Sequence, residues 1–246
     1  MKDDLQLQTE AVKLRRINGY GSTEPIDVIG LLLAQECYTF IRLPMTENIS
    51  GMCVIDGDSK IIAVNSMMSL GRQRFTVAHE LYHIEIEHRG QGVICKKGTI
   101  TDSEKEADRF ASYFLLPCDA LEWFAEKYEV KEWTLEQIVR LSQLFRMSFQ
   151  AVVYRLHQEG KINDLVYHKL INSNIIDMIK DTGTDMSLYM KSPEEEMEKS
   201  YGQYSQLLER AHKEERISDS LYKQFALEGF CDERWSKMIK EALIYD

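Results

Sequence analysis

The sequence predicts an α+β protein, mostly helical with one small antiparallel sheet. Three observations carry that reading. Short apolar runs lie between residues 39 and 65 around a turn signal, as strands require. On either side, apolar residues recur at helical spacing over long stretches. Glycine and proline fall mostly between these stretches. With 246 residues the chain can bury a core in one generous domain or two small ones.

Leu5–Asn18 places Leu7, Ala11, Leu14 and Ile17 near a helical period, and Gly19 and Gly21 end it. Pro25–Tyr38 reads as a second helix with Pro25 in its first turn. Thr39–Leu43, Gly51–Ile55 and Ile61–Asn65 read as strands, the last two joined as a hairpin through Asp56-Gly57-Asp58. Arg72–Glu87 is the next helix, broken by Gly90 and Gly92. Ser103–Leu116 follows, with Pro117 as its stop. Residues 121–162 read as helical throughout. Thr134 and Gln137 make a capping box there, and Ser148 caps a helix ending near Gly160. From Asp164 the chain is more acidic and helical, with breaks at 181–185 and Pro193, a helix start at Glu194–Glu196, and a helical hairpin over 200–225. No internal repeat is legible.

The net charge of −10 argues against loose binding to DNA, RNA or an anionic membrane, all of which need a basic surface. The longest apolar run, Val28–Ala34, is too short to span a bilayer, and the acidic start MKDDLQLQTE is not a secretory signal. Cys37, Cys53, Cys95, Cys118 and Cys231 are scattered and odd in number, which reads as reduced thiols in a cytoplasmic protein.

The chemistry concentrates in FTVAHELYHIEIEH, residues 75–88. Residues four apart share a helix face, so His79 and His83 project side by side, as two imidazoles on one tetrahedral zinc must. Glu80 lies near such a metal without ligating it, where a carboxylate can take a proton from water. His88 points away from both histidines. Glu87 lies about 12 Å along the axis from His79, too far to share its zinc. Glu85, Glu87 and His88 therefore read as a solvated face.

A third ligand must come from elsewhere, and TDSEKEADRFASYFLLP offers it. Glu104 and Asp108 are four apart, with Ala107 and Ala111 keeping that side slim. Glu104 reads as the third ligand, with Glu106, about 200° round the helix, as its rival. Asp108 reads as the acceptor for the ring N–H of a ligand histidine. Three protein ligands leave a fourth zinc position open, as hydrolytic zinc requires.

RFTVAHELYH (74–83), the Glu104–Ala111 match to E-x-x-A-[N/D]-x-F-A, LLP at 115–117, and the upstream SGMCVID and IIAVN together resemble the ImmA/IrrE family of zinc metallopeptidases, which belong with the gluzincins. The resemblance covers about residues 7–162. Asp108 departs from the family's usual asparagine. The resemblance implies a zincin-like metallopeptidase domain and a cytoplasmic zinc-dependent endopeptidase that cleaves a helix-turn-helix transcriptional repressor.

Three units are expected: a metallopeptidase domain at 1–120, a helix-turn-helix-like region at 121–163, and a helical extension of open role at 164–246. Ile61, Ala63 and Asn65 are expected on an edge strand that binds an extended substrate. Tyr82, Tyr113 and His168 are the candidates for oxyanion stabiliser. In the helix-turn-helix-like region Gln150, Tyr154 and Arg155 offer too few base-edge donors for DNA reading, so packing or protein recognition is preferred. The reading from another class is a non-catalytic regulator that holds zinc and acts by binding its partner.

Overall fold

The computed structural model describes residues 2–87, 93–96, 101–180 and 182–229, with 93–96 as backbone only. Helix α1 (Asp4–Ile17) starts at Asp3, which forms a capping box with Gln6. It packs on α4 (Asp102–Leu115) through its buried face. That face includes Arg15, whose guanidinium is wholly buried and donates to the carbonyls of Gly21, Glu24 and Phe114. A buried cation is tolerated there because fixed carbonyl dipoles replace its water.

The second helix, α2, is shorter than the sequence predicts and spans only Val28–Leu33. Pro25 lies outside it, and the chain from Tyr38 onward is drawn into the sheet. That sheet has five strands in the order β4-β2-β3-β1-β5. β2 (Ile49–Asp56) and β3 (Ser59–Asn65) form the expected hairpin, with Gly57 at φ +57° in its turn. β1 (Tyr38–Leu43) pairs parallel to β3, so the sheet is mixed and not purely antiparallel. β4 (Val93–Lys96) extends it beyond β2.

On the other side, β5 (Lys199–Gly202) pairs antiparallel with β1, so the C-terminal region contributes a strand as well as helices. The preceding segment is tied to α3 (Leu70–Leu81). Leu70 N donates to Met190 O at 2.8 Å, Ser192 N donates to Ser66 O at 3.1 Å, and buried Gln73 bonds Ser192 at 3.0 Å.

The expected edge strand is thus an interior one. β3 has its backbone groups taken on both sides, which leaves Ile61, Ala63 and Asn65 no free ladder for a peptide. Asn65 is itself a staple: its amide donates to the carbonyls of Met45, Thr46 and Ile49 and accepts from Met45 N and Met67 N.

The helical region follows the predicted breaks, although the expected capping box forms only its Thr134 half, Gln137 Oε1 making no return bond. α5 (Cys118–Lys127), α6 (Leu135–Phe145) and α7 (Phe149–Gln158) are separate helices, with Thr134 and Ser148 each accepting from the backbone three residues on. α8 (Asp164–Ile171), α9 (Ile175–Ile179), α10 (Gln203–Lys213) and α11 (Asp219–Glu228) complete the described chain. Glu194–Glu196 forms a short 3-10 turn.

An internal repeat, not legible from the sequence alone, joins two of these corners. LHQEGKINDLVY at 156–167 and AHKEERISDSLY at 211–222 align without a gap across α7–α8 and α10–α11, sharing the histidine, aspartate and tyrosine of the corner. His157 pairs with Asp164 at 2.7 Å and stacks on Tyr167 at 4.3 Å. His212 pairs with Asp219 at 2.8 Å and stacks on Tyr222 at the same 4.3 Å. The turn itself is repeated, with Gly160 at φ +64° and Glu215 at φ +55°. The signature of the repeat is a His–Asp pair, a stacked tyrosine and a backbone shape.

Candidate metal centre

Ser69 caps α3, whose face toward β2, β3 and α4 is buried. At Tyr82 the helix widens into one π-turn, Tyr82–Ile86, closed by Glu87 N donating to Tyr82 O at 3.0 Å. His79 lies in the last α-helical turn and His83 in the π-turn, and both are buried. Glu104 enters from the first turn of α4, where the Thr101 hydroxyl accepts its N–H at 3.2 Å. One donor atom from each of His79, His83 and Glu104 lies within 4.8 Å of the others.

These three residues fit a tetrahedral metal. The two Nε2 atoms are 3.2 Å apart, Glu104 Oε2 is 3.1 Å from His79 Nε2, and Glu104 Oε1 is 3.6 Å from His83 Nε2. Ligands about 2.1 Å from one tetrahedral zinc are about 3.4 Å apart, the edge of that tetrahedron. The other ring nitrogens are held from behind: His79 Nδ1 lies 2.8 Å from Asp108 Oδ1, and His83 Nδ1 lies 2.6 Å from Glu87 Oε2. A carboxylate only accepts, so each Nδ1 carries a proton toward its backing acid, which leaves each Nε2 as the nitrogen that would face a metal.

Two imidazoles and a carboxylate gathered in a buried space favour a positive charge, which in the metal-free chain is a proton on His79. Burial opposes its charge, but the Asp108 and Glu104 carboxylates outweigh burial and push its pKa up to about 10. His83 is shifted down, by burial first and then by the neighbouring His79 charge, against the pull of Glu87.

Glu80 is wholly buried beside His79. Its carboxylate lies against β2 at Gly51, where an added Cβ would sit 3.1 Å from Glu80 Oε1, 2.5 Å from Thr76 Cγ2 and 2.9 Å from Ala63 O. Glycine at 51 is what lets the strand and the carboxylate approach.

Glu104 and Asp108 lie where the helical spacing puts them. Glu106, the rival ligand, does not reach the donor cluster. It is buried elsewhere, accepting from the Tyr82 hydroxyl and from Lys2 N at 2.6 Å. Burial raises its pKa, but the Tyr82 and Lys2 bonds outweigh that and hold it below the ordinary value.

Two of the acids read as solvated are not. Glu85 accepts from the Tyr38 hydroxyl and from Lys60 Nζ at 2.7 Å, and Glu87 backs His83. The available signal was Glu87's i,i+4 spacing from His83, which suits a backing acid as well as a ligand. His88 and Cys231 lie outside the described residues, as do the side chain of Cys95 and the break at 90 and 92.

The oxyanion candidates fare differently from the ligands. Tyr82 is buried with its hydroxyl committed to Glu106, and Tyr113 is buried near Asp4. His168 is exposed on α8, edge-on to Tyr167. In the helix-turn-helix-like pair, Arg155 is turned fully inward, bonding Leu116 O and Cys118 Sγ, each near 3.1–3.2 Å. Gln150 is exposed and Tyr154 half so. Among the described residues no helix is long and apolar enough to cross a membrane.

Comparison with known proteins gives three findings. No curated protein sequence matches the chain significantly. A solved structure of a Mycobacterium tuberculosis transcriptional regulator is similar at 18% identity and a TM-score of 0.42, covering 62% of this chain and 46% of its own. This chain thus spans less than half the length of that regulator. The family model described as IrrE N-terminal-like domain, a peptidase family, matches residues 34–157 and takes in the whole donor cluster. That match extends over half of the sequence, so the chain belongs to the peptidase family of the IrrE N-terminal-like domain.

Proposed function

We propose that this chain is a zinc-dependent endopeptidase that cleaves a protein partner, a helix-turn-helix transcriptional repressor. The observation that carries the reading is the convergence of His79, His83 and Glu104 at tetrahedral spacing with Glu80 buried alongside. Membership of a peptidase family supports peptide-bond hydrolysis, and the resemblance of 74–83 and 104–117 to the ImmA/IrrE enzymes supports a repressor as substrate.

In this role His79, His83 and Glu104 hold the metal, and Asp108 orients His79. Zinc, when bound, supplies the Lewis acidity that activates water and polarises a peptide carbonyl. Glu80 takes the proton of the attacking water and delivers it to the leaving amine. β4 is the outermost strand beside β2, and an extended substrate adds there by main-chain pairing instead of at β3. The peptidase unit comprises 1–120, with 121–163 as an accessory helical unit and 164–246 as an accessory unit that lends the sheet β5, all acting in the cytoplasm. The segment around 187–202 supports the peptidase unit through Met190, Ser192 and β5.

Glu80→Gln tests the reading. The variant keeps one zinc per chain, because Glu80 is not a ligand, and loses about 10²–10⁴-fold in partner cleavage. Full cleavage, or full biological effect, in that variant would refute the peptidase and leave a regulator acting by binding.

A further inference from the structure

We infer that Glu87 is the positioning residue for His83, and that it matters more to metal affinity than Asp108 does for His79. The inference rests on the metal-binding reading above and adds a residue to it. His83 is wholly buried, and its Nδ1 lies 2.6 Å from Glu87 Oε2. Among the described residues Glu87 is the acceptor at that nitrogen, and it fixes the tautomer that turns Nε2 toward His79 Nε2 and Glu104.

The two backing acids sit in different surroundings. The Asp108 side chain is 56% exposed, so water competes for its bond to His79. The Glu87 side chain is 17% exposed and faces a ring with no exposure at all. Water cannot replace Glu87 at equal strength, so its loss leaves a buried N–H poorly satisfied.

The turn that carries Glu87 is itself pinned. Tyr38 and Lys60 hold Glu85, and Tyr82 is held by Glu106, so both sides of the π-turn are tied to neighbouring elements. Glu87 thus acts from a fixed base. His83 is further confined by the Tyr82 ring, edge-on at 5.7 Å, and by the His79 ring at 5.0 Å. Confinement limits where the ring can go, and Glu87 selects which nitrogen carries the proton.

The test is zinc affinity of the full chain, measured by competition with a chromophoric chelator. Variants Glu87→Ala, Glu87→Gln and Asp108→Ala are compared, with thermal unfolding of each metal-free protein alongside. Glu87→Ala weakens zinc toward the upper end of about 10–100-fold, and Asp108→Ala toward its lower end. Glu87→Gln loses less than Glu87→Ala, because an amide oxygen still accepts the Nδ1–H. Metal-free unfolding stays close to wild type for Glu87→Gln.

Affinity of Glu87→Ala within twofold of wild type overturns the inference, as does a larger loss for Asp108→Ala. Equal losses in Gln and Ala variants that also destabilise the metal-free protein reduce Glu87 to a structural residue and overturn it too. A wild-type chain that binds no zinc overturns the metal-binding reading itself, a separate outcome.

Discussion

Replacing Gly51 by alanine probes the contact between β2 and the buried Glu80. The new Cβ would lie 2.5 Å from Thr76 Cγ2 and 2.9 Å from Ala63 O. Carbon pairs normally settle at about 3.5–4.0 Å, so the shortfall at Thr76 is about 1 Å. Neither neighbour yields easily: Thr76 is 2% exposed, and the Ala63 carbonyl belongs to the middle of the sheet. Overpacking of this kind costs about 1–3 kcal/mol. At about 2–4 °C per kcal/mol for a chain of this size, the melting temperature falls by about 2–12 °C.

The same Cβ meets Oε1 of Glu80, the base proposed above, at 3.1 Å, which a shift of a few tenths of an ångström relieves. A displacement of about 1 Å would cost about 10²-fold, so the expected loss of cleavage is below that. Metal content should stay at the wild-type level, since the three nearest atoms belong to Thr76, Ala63 and Glu80 and not to His79, His83 or Glu104. The assay is calorimetric unfolding with metal analysis and partner cleavage, repeated with Thr76→Ser, which removes the offending Cγ2. The double variant should recover part of the loss, with a coupling of about 0.5–3 kcal/mol. Unchanged melting in Gly51→Ala, or strictly additive effects of the pair, would refute the close approach.

Two further outcomes follow from other sites. The Asp27 carboxyl has its pKa lowered: burial opposes this, but Arg74 at 2.8 Å and the Gly30 amide outweigh it. A depressed carboxyl stabilises above its unfolded value, near 3.8, and loses that contribution as pH falls through its lower folded value. Asp27→Asn should therefore melt below wild type at neutral pH, with the gap closing below pH 3.8; a gap that widens in acid would contradict the pairing. Glu215 holds φ +55° where its repeat partner is Gly160. Glu215→Gly relieves about 1–2 kcal/mol of left-handed strain but adds about 0.5–1 kcal/mol of unfolded-state entropy. Amide exchange in α10 and α11 should slow about two- to fivefold, and faster exchange would count against the strain.

The helices and the candidate metal cluster were legible in the sequence for one reason: they obey local rules. His79, Glu80 and His83 follow from helical spacing, and Glu104 with Asp108 from the same spacing one helix on. Caps at Thr134 and Ser148 were readable because a cap is a contact within four residues. What escaped depends on distant chain. β5 is four residues long, and only the unpaired edge of β1 makes Lys199–Gly202 a strand. β3 looked like an edge because its partner β1 joins it in parallel, a pairing that no hairpin announces. Glu106 is fixed by Tyr82 and Lys2, a contact across the fold that no helical wheel contains.

The late arrival of β5 has a consequence for how the chain folds during synthesis. Residues 38–65 can form their three-stranded core early, but the outer edge of β1 waits for residues 199–202. At ribosomal rates of about 5–20 residues per second, that interval is on the order of ten seconds. Throughout it the β1 edge is open to wrong partners, since an unpaired strand recruits whatever extended segment it meets. The C-terminal region therefore acts late in biogenesis as the closing seam of a sheet begun at the other end of the chain.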